Sequence, residues 1–493
     1  MPIEVRALEP KSIWNKFADL NAIPRPSKKE ERVIQFMMDF GKSLNLETFS
    51  DAVGNVIIRK PATSEMDDRK MITLQSHLDM VHQKNSDTVF DFETQGIEMF
   101  VDGDWVKAKG TTLGADNGMG VAAIMALLES TDIPHPALEA LFTIDEETGM
   151  TGAMGLEGGV LQGEILLNLD TEEDDEIDIG CAGGIDVTAL GAYQLESVNP
   201  RYQAYKVEVK GLKGGHSGMD IRKGLGNANK IMNRLLYHSV FQFDAGLCEV
   251  DGGGLRNAIP RESVATIVVN PANEEFQDRF HSWAEEIKKE LLVVEPDLMI
   301  SLGAIESPEN SMEYSKVRDF VRSMYTAHNG VYAMSASIPD LVETSNNIAR
   351  IVVKDGVIKI SCLTRSSVNS AKMNLAHALK SAFELADYKV TSDGAYPGWN
   401  PNPNSEILKV LKSKYESMFE EKPKVVACHA GLECGILGQN YPDLDMISFG
   451  PTIRGAHSPD ERVQISSVQK FWKFLKAVLA DSPKRKYRKG GGI

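Results

Sequence analysis

Four short apolar runs, each followed by a histidine or an acidic residue, place the strongest constraint on the fold of this 493-residue chain. The runs, each with the polar residue that follows it, are 71–75 with His77, 140–144 with Asp145, 165–169 with Asp170 and 446–449 with His457. Residues 117–129, between the first two runs, have the apolar spacing of a helix. Short buried strands that alternate with helices predict an α/β domain with a mostly parallel sheet.

The middle of the chain has a different pattern, which predicts an inserted second domain. Residues 202–209 alternate apolar and polar side chains, as in a half-exposed strand of an antiparallel sheet. Residues 393–404 are rich in Gly, Pro and Asn, so we expect a linker there rather than a helix or strand. We therefore expect a first domain formed by residues 1–186 and 394–493, with an α+β domain inserted at 187–393.

The inserted domain also contains two similar segments. Residues 257–269, followed by a helix at 276–291, resemble residues 347–364, followed by a helix at 371–385. An Asn-containing turn leads into the strands of both segments. This repetition predicts an internal duplication within the inserted domain.

Composition and charge exclude several classes of protein. The formal net charge of −17, from 53 basic and 70 acidic residues, leaves no basic surplus to neutralise nucleic-acid phosphates. No apolar stretch approaches the roughly 18 residues of a membrane-spanning helix, and the N-terminus lacks the apolar run of a signal peptide. The five cysteines are irregularly spaced, which fits reduced thiols. We therefore expect a cytoplasmic protein that binds neither nucleic acid nor a membrane.

The ligand-type side chains are expected to gather at one edge of the predicted sheet. In open α/β sheets, ligands bind beside the carboxyl ends of the strands, where these polar residues lie. The candidate ligands of divalent metal ions are His77, Asp116, Asp170, His457 and one of Glu146 and Glu147. Two imidazoles and three carboxylates suit two Zn²⁺ ions bridged by one carboxylate, and Mn²⁺ and Co²⁺ accept similar ligands. Asp116 has an alternative explanation, because it could cap the helix beginning at Asn117.

Two further acidic residues have positions that suit supporting roles. Asp79 lies two residues after His77, where a carboxylate can orient the imidazole ring and fix its tautomer. Glu146 directly precedes Glu147, so one carboxylate can bind metal while its neighbour takes a proton from the attacking water. The sequence therefore predicts a two-metal hydrolase in which one of Glu146 and Glu147 binds metal and the other acts as the general base.

Five motifs surround these residues in a fixed order. They are Ser76-His77-Leu78-Asp79-Met80, Gly114-Ala115-Asp116-Asn117-Gly118, Asp145-Glu146-Glu147-Thr148-Gly149, Asn168-Leu169-Asp170 and Gly455-Ala456-His457-Ser458. This set resembles the metal motifs of the cocatalytic zinc peptidases, the family that includes aminoacyl-histidine dipeptidase, carnosinase-like dipeptidases and glutamate carboxypeptidase. The resemblance extends to residues 23–27 and 213–218. Within the family, the chain length, the segment 428–433 and the large insertion most resemble aminoacyl-histidine dipeptidase.

The resemblance implies how the metal ligands divide between two ions. One ion would be held by His77 and Asp170. The other would be held by Glu147 and His457, and Asp116 would bridge the two.

The resemblance also implies roles for residues that do not bind metal. Glu146 would activate the bridging water and later protonate the leaving amine. The inserted domain would act as a lid, in which His216 stabilises the oxyanion. Asn257 and Arg365 match lid positions that contact the substrate, and Arg365 would pair with its carboxylate.

One departure from the family concerns Glu433. Many relatives have a Gly-Gly-Thr-like turn where this chain has Gly431-Leu432-Glu433. Glu433 would either neutralise a substrate cation, such as an amino terminus or a protonated imidazole, or have a structural role. Dimeric relatives complete the site with a partner subunit, so a homodimer is one candidate assembly. Alternatively, the second half of the duplicated lid would imitate that partner, and His216 would then serve its own chain.

Three hypotheses for function follow. The leading one is hydrolysis of small peptides, above all dipeptides that end in histidine. The same metal ligands would also suit a tripeptidase, a carboxypeptidase or a deacylase, because lid residues select the substrate. An inactive peptide-binding relative is disfavoured, because the chain retains Glu146 together with all five ligands.

Overall fold

Helices and strands occupy most of residues 4–485, the part of the chain that the computed structural model describes. The helices are α1 Lys11–Asn21, α2 Glu31–Ser43, α3 Ala115–Glu129, α4 Glu146–Gly149, α5 Thr151–Gly155, α6 Ala228–Phe243, α7 Phe276–Leu291, α8 Tyr314–Thr326, α9 Asn369–Glu384, α10 Glu406–Phe419, α11 Glu433–Asn440 and α12 Ile465–Ala480. The strands are β1 Glu47–Ser50, β2 Val56–Lys60, β3 Ile72–His77, β4 Met99–Asp102, β5 Trp105–Ala108, β6 Leu138–Thr143, β7 Ile165–Asn168, β8 Glu176–Cys181, β9 Gly183–Ala192, β10 Leu195–Ser197, β11 Gln203–Lys210, β12 Gly215–His216, β13 Gly246–Gly253, β14 Ala258–Ile259, β15 Ser263–Val269, β16 Met299–Ile305, β17 Asn310–Met312, β18 Gly330–Met334, β19 Val342–Lys354, β20 Val357–Ser366, β21 Lys389–Tyr396, β22 Lys424–Cys428, β23 Asp445–Ser448, β24 Ile453–Arg454 and β25 Arg462–Gln464.

The chain divides into two units. The first unit contains the residues up to Gly180, the segment Pro401–Ala427 and the residues from Leu432 onward. The second unit contains Cys181–Asn400 and Cys428–Gly431. The predicted domain borders lie before residue 187 and before residue 394. Each is within several residues of an end of Cys181–Asn400, the main segment of the second unit. Cys428–Gly431 belongs to the second unit, although no sequence pattern predicted it.

The first unit is built on an eight-stranded sheet with the order β1-β2-β6-β3-β7-β23-β8-β22. The central strands β6, β3, β7 and β23 are parallel, whereas β1, β2 and β8 pair antiparallel with their neighbours. Every residue of β3, β6 and β7 is buried, which explains why these strands are short apolar runs without alternation. The predicted α/β fold is confirmed.

Helix α3 packs closely against this sheet at Gly120, where a larger residue would not fit. All of residues 117–128 are buried, so the helix is surrounded on all sides. A Cβ atom at Gly120 would lie only 2.4 Å from Ser76 Oγ and 2.6 Å from the carbonyl oxygen of Leu169. Glycine at this position therefore lets α3 approach the ends of β3 and β7, where the predicted ligands lie.

The second unit is built on an antiparallel sheet whose order, β16-β11-β15-β13-β19-β20-β9-β21, contains the expected duplication. One half has the chain order β11-α6-β13-β15-α7-β16, and the other has β9-α8-β19-β20-α9-β21. In both halves the first strand lies between the third and the fourth. The two halves meet where their second strands, β13 and β19, pair antiparallel. The idea that one half replaces a partner subunit stays a prediction.

The strands expected at 347–364 form a hairpin, in which Asp355 (φ 50°) and Gly356 (φ 80°) make the two-residue turn between β19 and β20. One expectation about this unit was wrong. Residues 393–396, expected in a linker, belong to β21. This strand pairs with β9 on one side and tolerates glycine because its register shifts between Asp393 and Tyr396.

Two further observations concern membrane-spanning helices and disulfide bonds. Within residues 4–485, none of the helices combines the length and the apolar character that crossing a membrane requires. Within the same residues, the five cysteines form no disulfide with one another.

Candidate metal centre

The five predicted metal ligands lie together in the first unit, at the carboxyl edge of its sheet. His77 is the last residue of β3, and Glu147 lies in α4, just after β6. Asp170 follows β7 by two residues, and His457 follows the short strand β24. Asp116 lies at the start of α3, where its backbone angles (φ −83°, ψ 110°) are not helical. The edge predicted from the strand ends therefore contains all five side chains.

Asp116 belongs to both groups of ligand atoms. Its Oδ1 lies 3.2 Å from His77 Nε2, which is also 3.6 Å from Asp170 Oδ1. Its Oδ2 lies 3.2 Å from His457 Nε2, which is 2.9 Å from Glu147 Oε2. Within each group the ligand atoms lie within 4.8 Å of one another. A carboxylate that turns one oxygen to each group has the arrangement of a bridging ligand.

The chemistry of these donor atoms fits two divalent cations. Each group combines one imidazole nitrogen with carboxylate oxygens, a combination that suits zinc and its neighbours. Glu147 Oε1 is buried and has no hydrogen-bond partner within residues 4–485. Buried carboxylates normally have partners, so this oxygen is available to a cation.

The two histidines are strongly polarised by the surrounding carboxylates. Burial lowers the pKa of His77, but Asp170, Asp116 and Asp79 outweigh this effect and raise it well above its ordinary value. Hydrogen bonds to Asp116 and Glu147 raise the pKa of His457 to about 11. Each imidazole therefore lies where a positive charge is favoured.

Burial and neighbouring charges also shift the pKa values of the acidic groups. Burial, together with the charge of Asp116, raises the pKa of Asp170 to about 8. Burial and the charges of Asp116 and Asp170 also raise the pKa of Glu172 to about 8. Carboxyl groups this close cannot all ionise without added positive charge.

Asp79 holds two parts of the centre in place, as its position after His77 predicted. Its Oδ1 lies 3.3 Å from His77 Nδ1, an arrangement that orients the ring so that Nε2 faces Asp116. The same carboxylate accepts the backbone amides of Glu146 at 3.0 Å and Glu147 at 3.2 Å. Ser27 Oγ donates to it as well, at 2.8 Å. Asp79 therefore fixes the imidazole and the start of α4 relative to each other.

Glu146 lies beside the ligands without belonging to either group. Burial raises its pKa well above the ordinary value, and the charges of Asp170, Glu433 and Glu147 act in the same direction. A carboxylate with a raised pKa is a stronger proton acceptor than an exposed one. This environment suits the predicted general base.

Glu433 lies in the same unit as the candidate metal centre, beside the carboxyl end of β3. It is fully buried, and its Oε2 accepts hydrogen bonds of 2.6 Å from both Gln75 Nε2 and Thr143 Oγ1. Thr143 pairs with His77 across β3 and β6. Oε1 is buried without a hydrogen-bond partner in the described part of the chain, and burial raises the pKa of the carboxyl group to about 7.

The three predicted lid residues lie in the second unit, and the structure groups them there. His216 in β12 pairs with Ala258 in β14, next to the exposed Asn257. Arg365 Nη2 lies 3.4 Å from His216 Nε2. Arg365 Nη1 donates to the hydroxyl of Tyr396 at 2.9 Å.

The tautomer of His216 follows from its backbone contacts. Its Nδ1 accepts the amides of Gly218 at 3.3 Å and Met219 at 3.1 Å, so a neutral ring carries its proton on Nε2. Burial and the charge of Arg365 lower the pKa of His216 to about 4, which keeps the ring neutral near pH 7. Two N–H donors, from His216 and Arg365, therefore lie side by side, as in an anion-binding site.

Sequence reasoning missed two residues that shape the centre. Arg25, fully buried, donates from Nη1 to the carbonyl oxygens of Leu78 and Asp79 and from Nη2 to that of Gly114. Glu461 accepts four backbone amides at the start of α3. Arg25 lies in the segment 23–27 that carried the resemblance, which was the only signal for it.

The capping explanation for Asp116 was wrong. Asp116 and Asn117 form a kink with non-helical backbone angles, and within residues 4–485 no amide of α3 donates to the Asp116 carboxylate. The carboxylate of Asp116 instead faces His77 and His457.

Comparison with known proteins gives consistent results. Residues 73–481 match the model of peptidase family M20/M25/M40. The cytosol non-specific dipeptidase of Escherichia coli (strain K12) is 43% identical over 482 residues, which cover 97% of this chain and 99% of that protein. The crystal structure of aminoacylhistidine dipeptidase from Vibrio alginolyticus superposes with a TM-score of 0.93 at 41% identity, covering 98% and 99% of the two chains.

A more distant structure has the same fold. The aminopeptidase PepT from Bacillus cereus ATCC 10987 matches with a TM-score of 0.57 at 15% identity, covering 96% of this chain and 98% of that chain. This comparison supports the architecture alone.

We expect metal binding to release protons. The raised pKa values of His77 and His457 mean that both rings are protonated near neutral pH without metal, and each must lose its proton to become a ligand. Apparent Zn²⁺ affinity should therefore rise as the pH rises from neutral toward about 11, the pKa of His457. Calorimetric titration in buffers of different ionisation enthalpy measures the released protons. His457→Ala should release fewer, and pH-independent binding without proton release would contradict the expectation.

Proposed function

This chain belongs to peptidase family M20/M25/M40, and we propose that it is a two-metal dipeptidase with a preference for dipeptides that end in histidine. The observation that carries the metal centre is the carboxylate of Asp116, whose two oxygens face two different histidines. The preference for histidine rests on the name of the Vibrio alginolyticus relative, aminoacylhistidine dipeptidase. The Escherichia coli relative is named a non-specific dipeptidase, so a broader dipeptide range is the alternative that the assay must separate.

We assign the two metal positions to the two groups of ligand atoms. His77 and Asp170 would hold one ion, Glu147 and His457 the other, and Asp116 would bind both. When bound there, divalent cations would polarise the peptide carbonyl and lower the pKa of the attacking water. Zn²⁺ is our assignment because imidazole and carboxylate ligands suit it, with Mn²⁺ and Co²⁺ as the alternatives.

Glu146 would move the protons of the reaction. Its carboxylate would take a proton from the attacking water and pass it to the amine that leaves. Its raised pKa supports this role, because a group must hold the proton between the two transfers. The backbone amide of Glu146 is fixed by Asp79, so the side chain starts from a defined position.

The lid residues would recognise the substrate. His216 would donate its Nε2 proton to the oxyanion, a role supported by the two backbone amides that occupy Nδ1. Arg365 would bind the C-terminal carboxylate of the peptide, and Asn257 would contact its backbone. These three assignments rest on the resemblance in sequence and on the geometry within the second unit.

Glu433 would bind the amino terminus of the substrate. Its Oε1 has no hydrogen-bond partner within residues 4–485, and a buried carboxylate oxygen is stabilised by a cation. A requirement for a free amino terminus would explain a preference for dipeptides over blocked substrates.

We propose the compartment from one relative and the assembly from the resemblance in sequence. The Escherichia coli protein is named a cytosol dipeptidase, and we propose the same compartment here. We take a homodimer as the assembly to test, by sedimentation of the purified chain.

We expect a substrate panel to show metal-dependent cleavage of dipeptides. The panel contains Xaa-His dipeptides, β-alanyl-His, other dipeptides, tripeptides and N-acetyl amino acids, assayed with chelator and after return of Zn²⁺, Mn²⁺ or Co²⁺. Chelation should abolish hydrolysis, metal should restore it, and Xaa-His should have the highest kcat/KM. Faster cleavage of tripeptides or N-acetyl amino acids would assign a different peptidase or a deacylase. Activity that resists prolonged chelation would contradict the metal centre.

Glu146→Gln should bind metal but turn over slowly. Loss of a proton-transfer group costs roughly 10²–10⁴-fold in kcat, and the amide leaves both groups of ligands intact. Glu157→Gln, the same change at an exposed position, serves as the control with full activity. Metal content by mass spectrometry together with kcat decides the outcome. Near-normal turnover of Glu146→Gln would reject its assignment as the base.

Glu433→Gln should raise KM for dipeptides by about 10-fold or more, because a hydrogen bond to a charged group contributes roughly 1.5–3 kcal/mol. The change in kcat should be smaller. Glu139→Gln is the matched control, since Glu139 is also fully buried and accepts hydrogen bonds from Thr73 and the amide of Gln162. It should lower the melting temperature without raising KM. An unchanged KM in Glu433→Gln, with a lower melting temperature, would assign Glu433 a structural role.

A further inference from the structure

We propose that Glu461 is a positioning residue that sets the bridging carboxylate of Asp116 before any metal binds and connects it to the loop of His457. The inference rests on the proposed two-metal function. It concerns a residue that no sequence motif singled out.

Glu461 is a buried carboxylate bound to four consecutive backbone amides. It is 2% exposed. Its Oε2 accepts the amides of Leu113 at 2.7 Å and Gly114 at 2.9 Å. Its Oε1 accepts the amides of Ala115 at 2.7 Å and Asp116 at 3.2 Å. Both oxygens are therefore occupied by the turn that carries Asp116.

The amides of Ala115 and Asp116 are among those that a helix start leaves without partners, and the amides of Leu113 and Gly114 directly precede the helix. The first N–H groups of a helix have no intrahelical acceptor, and a short polar side chain at the capping position usually accepts one or two of them. A negative charge is also favoured at this end of a helix. Glu461 supplies both the acceptors and the charge from a distant part of the sequence.

The capping position of α3 cannot supply a side chain of its own. Gly114 there has a φ of 70°, in the left-handed region that glycine tolerates best. A Cβ atom at Gly114 would lie 2.6 Å from Arg25 Nη2 and 2.8 Å from Met80 Sδ. Serine or aspartate is thus excluded at the cap.

Asp116 is the next residue that could serve as an acceptor for these amides. Aspartate in the first turn of a helix can bend back to free backbone N–H groups. Because Glu461 already accepts them, the Asp116 carboxylate has no local partner to turn to. It is left to face His77 and His457.

The same hairpin carries Glu461 and His457. Strands β24 and β25 pair antiparallel on either side of the loop that holds both residues. Within the loop, the amide of Glu461 donates to the carbonyl oxygen of Ser458 at 3.0 Å. By binding the turn before α3, Glu461 therefore attaches the loop of His457 to the backbone of Asp116.

This connection predicts an effect on metal affinity rather than on the loaded enzyme. Ligands that are held in place before binding lose less conformational freedom when the metal arrives. Without Glu461, the metal would have to order Asp116 and the loop of His457 itself. Once both ions are bound, their own bonds hold these ligands, so kcat at saturating metal should change little.

The test compares Glu461→Gln with a matched control. Glu461→Gln keeps the shape but turns an NH₂ group toward two N–H donors. Glu295→Gln is the control, since Glu295 is 1% exposed and also accepts two backbone amides, those of Lys213 and Gly226. Both variants and the unchanged chain are stripped of metal, and Zn²⁺ affinity is measured by competition with a chromogenic chelator. Thermal unfolding of the metal-free proteins is recorded alongside.

We expect Glu461→Gln to weaken Zn²⁺ binding by about 10–100-fold, as loss of groups that orient ligands commonly does. Glu295→Gln should lower the melting temperature but keep the affinity of the unchanged chain. Glu461→Asp keeps the charge, withdraws the oxygens by one methylene and should also weaken binding. It replaces the first variant if Glu461→Gln does not unfold cooperatively.

The results distinguish failure of this inference from failure of the proposed function. If the unchanged chain binds two Zn²⁺ ions and both Glu461 variants bind them equally tightly, the inference is overturned and the two-metal function stands. If the unchanged chain does not bind two metal ions, the proposed function itself is overturned. A loss of affinity in Glu295→Gln equal to that in Glu461→Gln would show a general effect of destabilisation and also overturn the inference.

Discussion

The metal centre depends on one carboxylate being held between two histidines. Asp116 turns Oδ1 to His77 and Oδ2 to His457, each at 3.2 Å. His77 comes from the end of a central parallel strand, and His457 from a hairpin loop far away in sequence. The sheet, the start of α3 and the hairpin must all be formed before this carboxylate can face both rings. The centre is therefore a product of the whole first unit rather than of one motif.

Electrostatics explains why such a site would bind cations. Burial and the neighbouring charge of Asp116 raise the pKa values of Asp170 and Glu172 to about 8, and the carboxylates in turn raise those of both histidines. A cluster of this kind is unfavourable as a group of free ions. Two divalent cations would offset the repulsion and displace protons from the rings. Binding of metal and stability of the fold are then linked.

Much of the site could be predicted because strand ends have a fixed chemical meaning. The apolar runs before His77 and Asp170 located the carboxyl edge of the sheet, and the order of motifs around Glu146 and Glu147 identified the family. Glu461 and Arg25 could not be found this way, because their partners are backbone groups distant in sequence. Capping of α3 by Asp116 stayed open as an alternative for the same reason: the residue that accepts the amides there lies 345 residues further along the chain. Residues 393–396 were misread because an edge strand tolerates the glycine that usually marks a loop.

The proposed bridge between two metal ions through Asp116 can be tested directly. Anomalous diffraction at the zinc absorption edge, from crystals of the chain loaded with Zn²⁺, locates the ions. We expect two peaks about 3.5–4 Å apart, with one oxygen of Asp116 bound to each, His77 on one ion and His457 on the other. A single peak, or two ions with both oxygens of Asp116 on the same one, would contradict it.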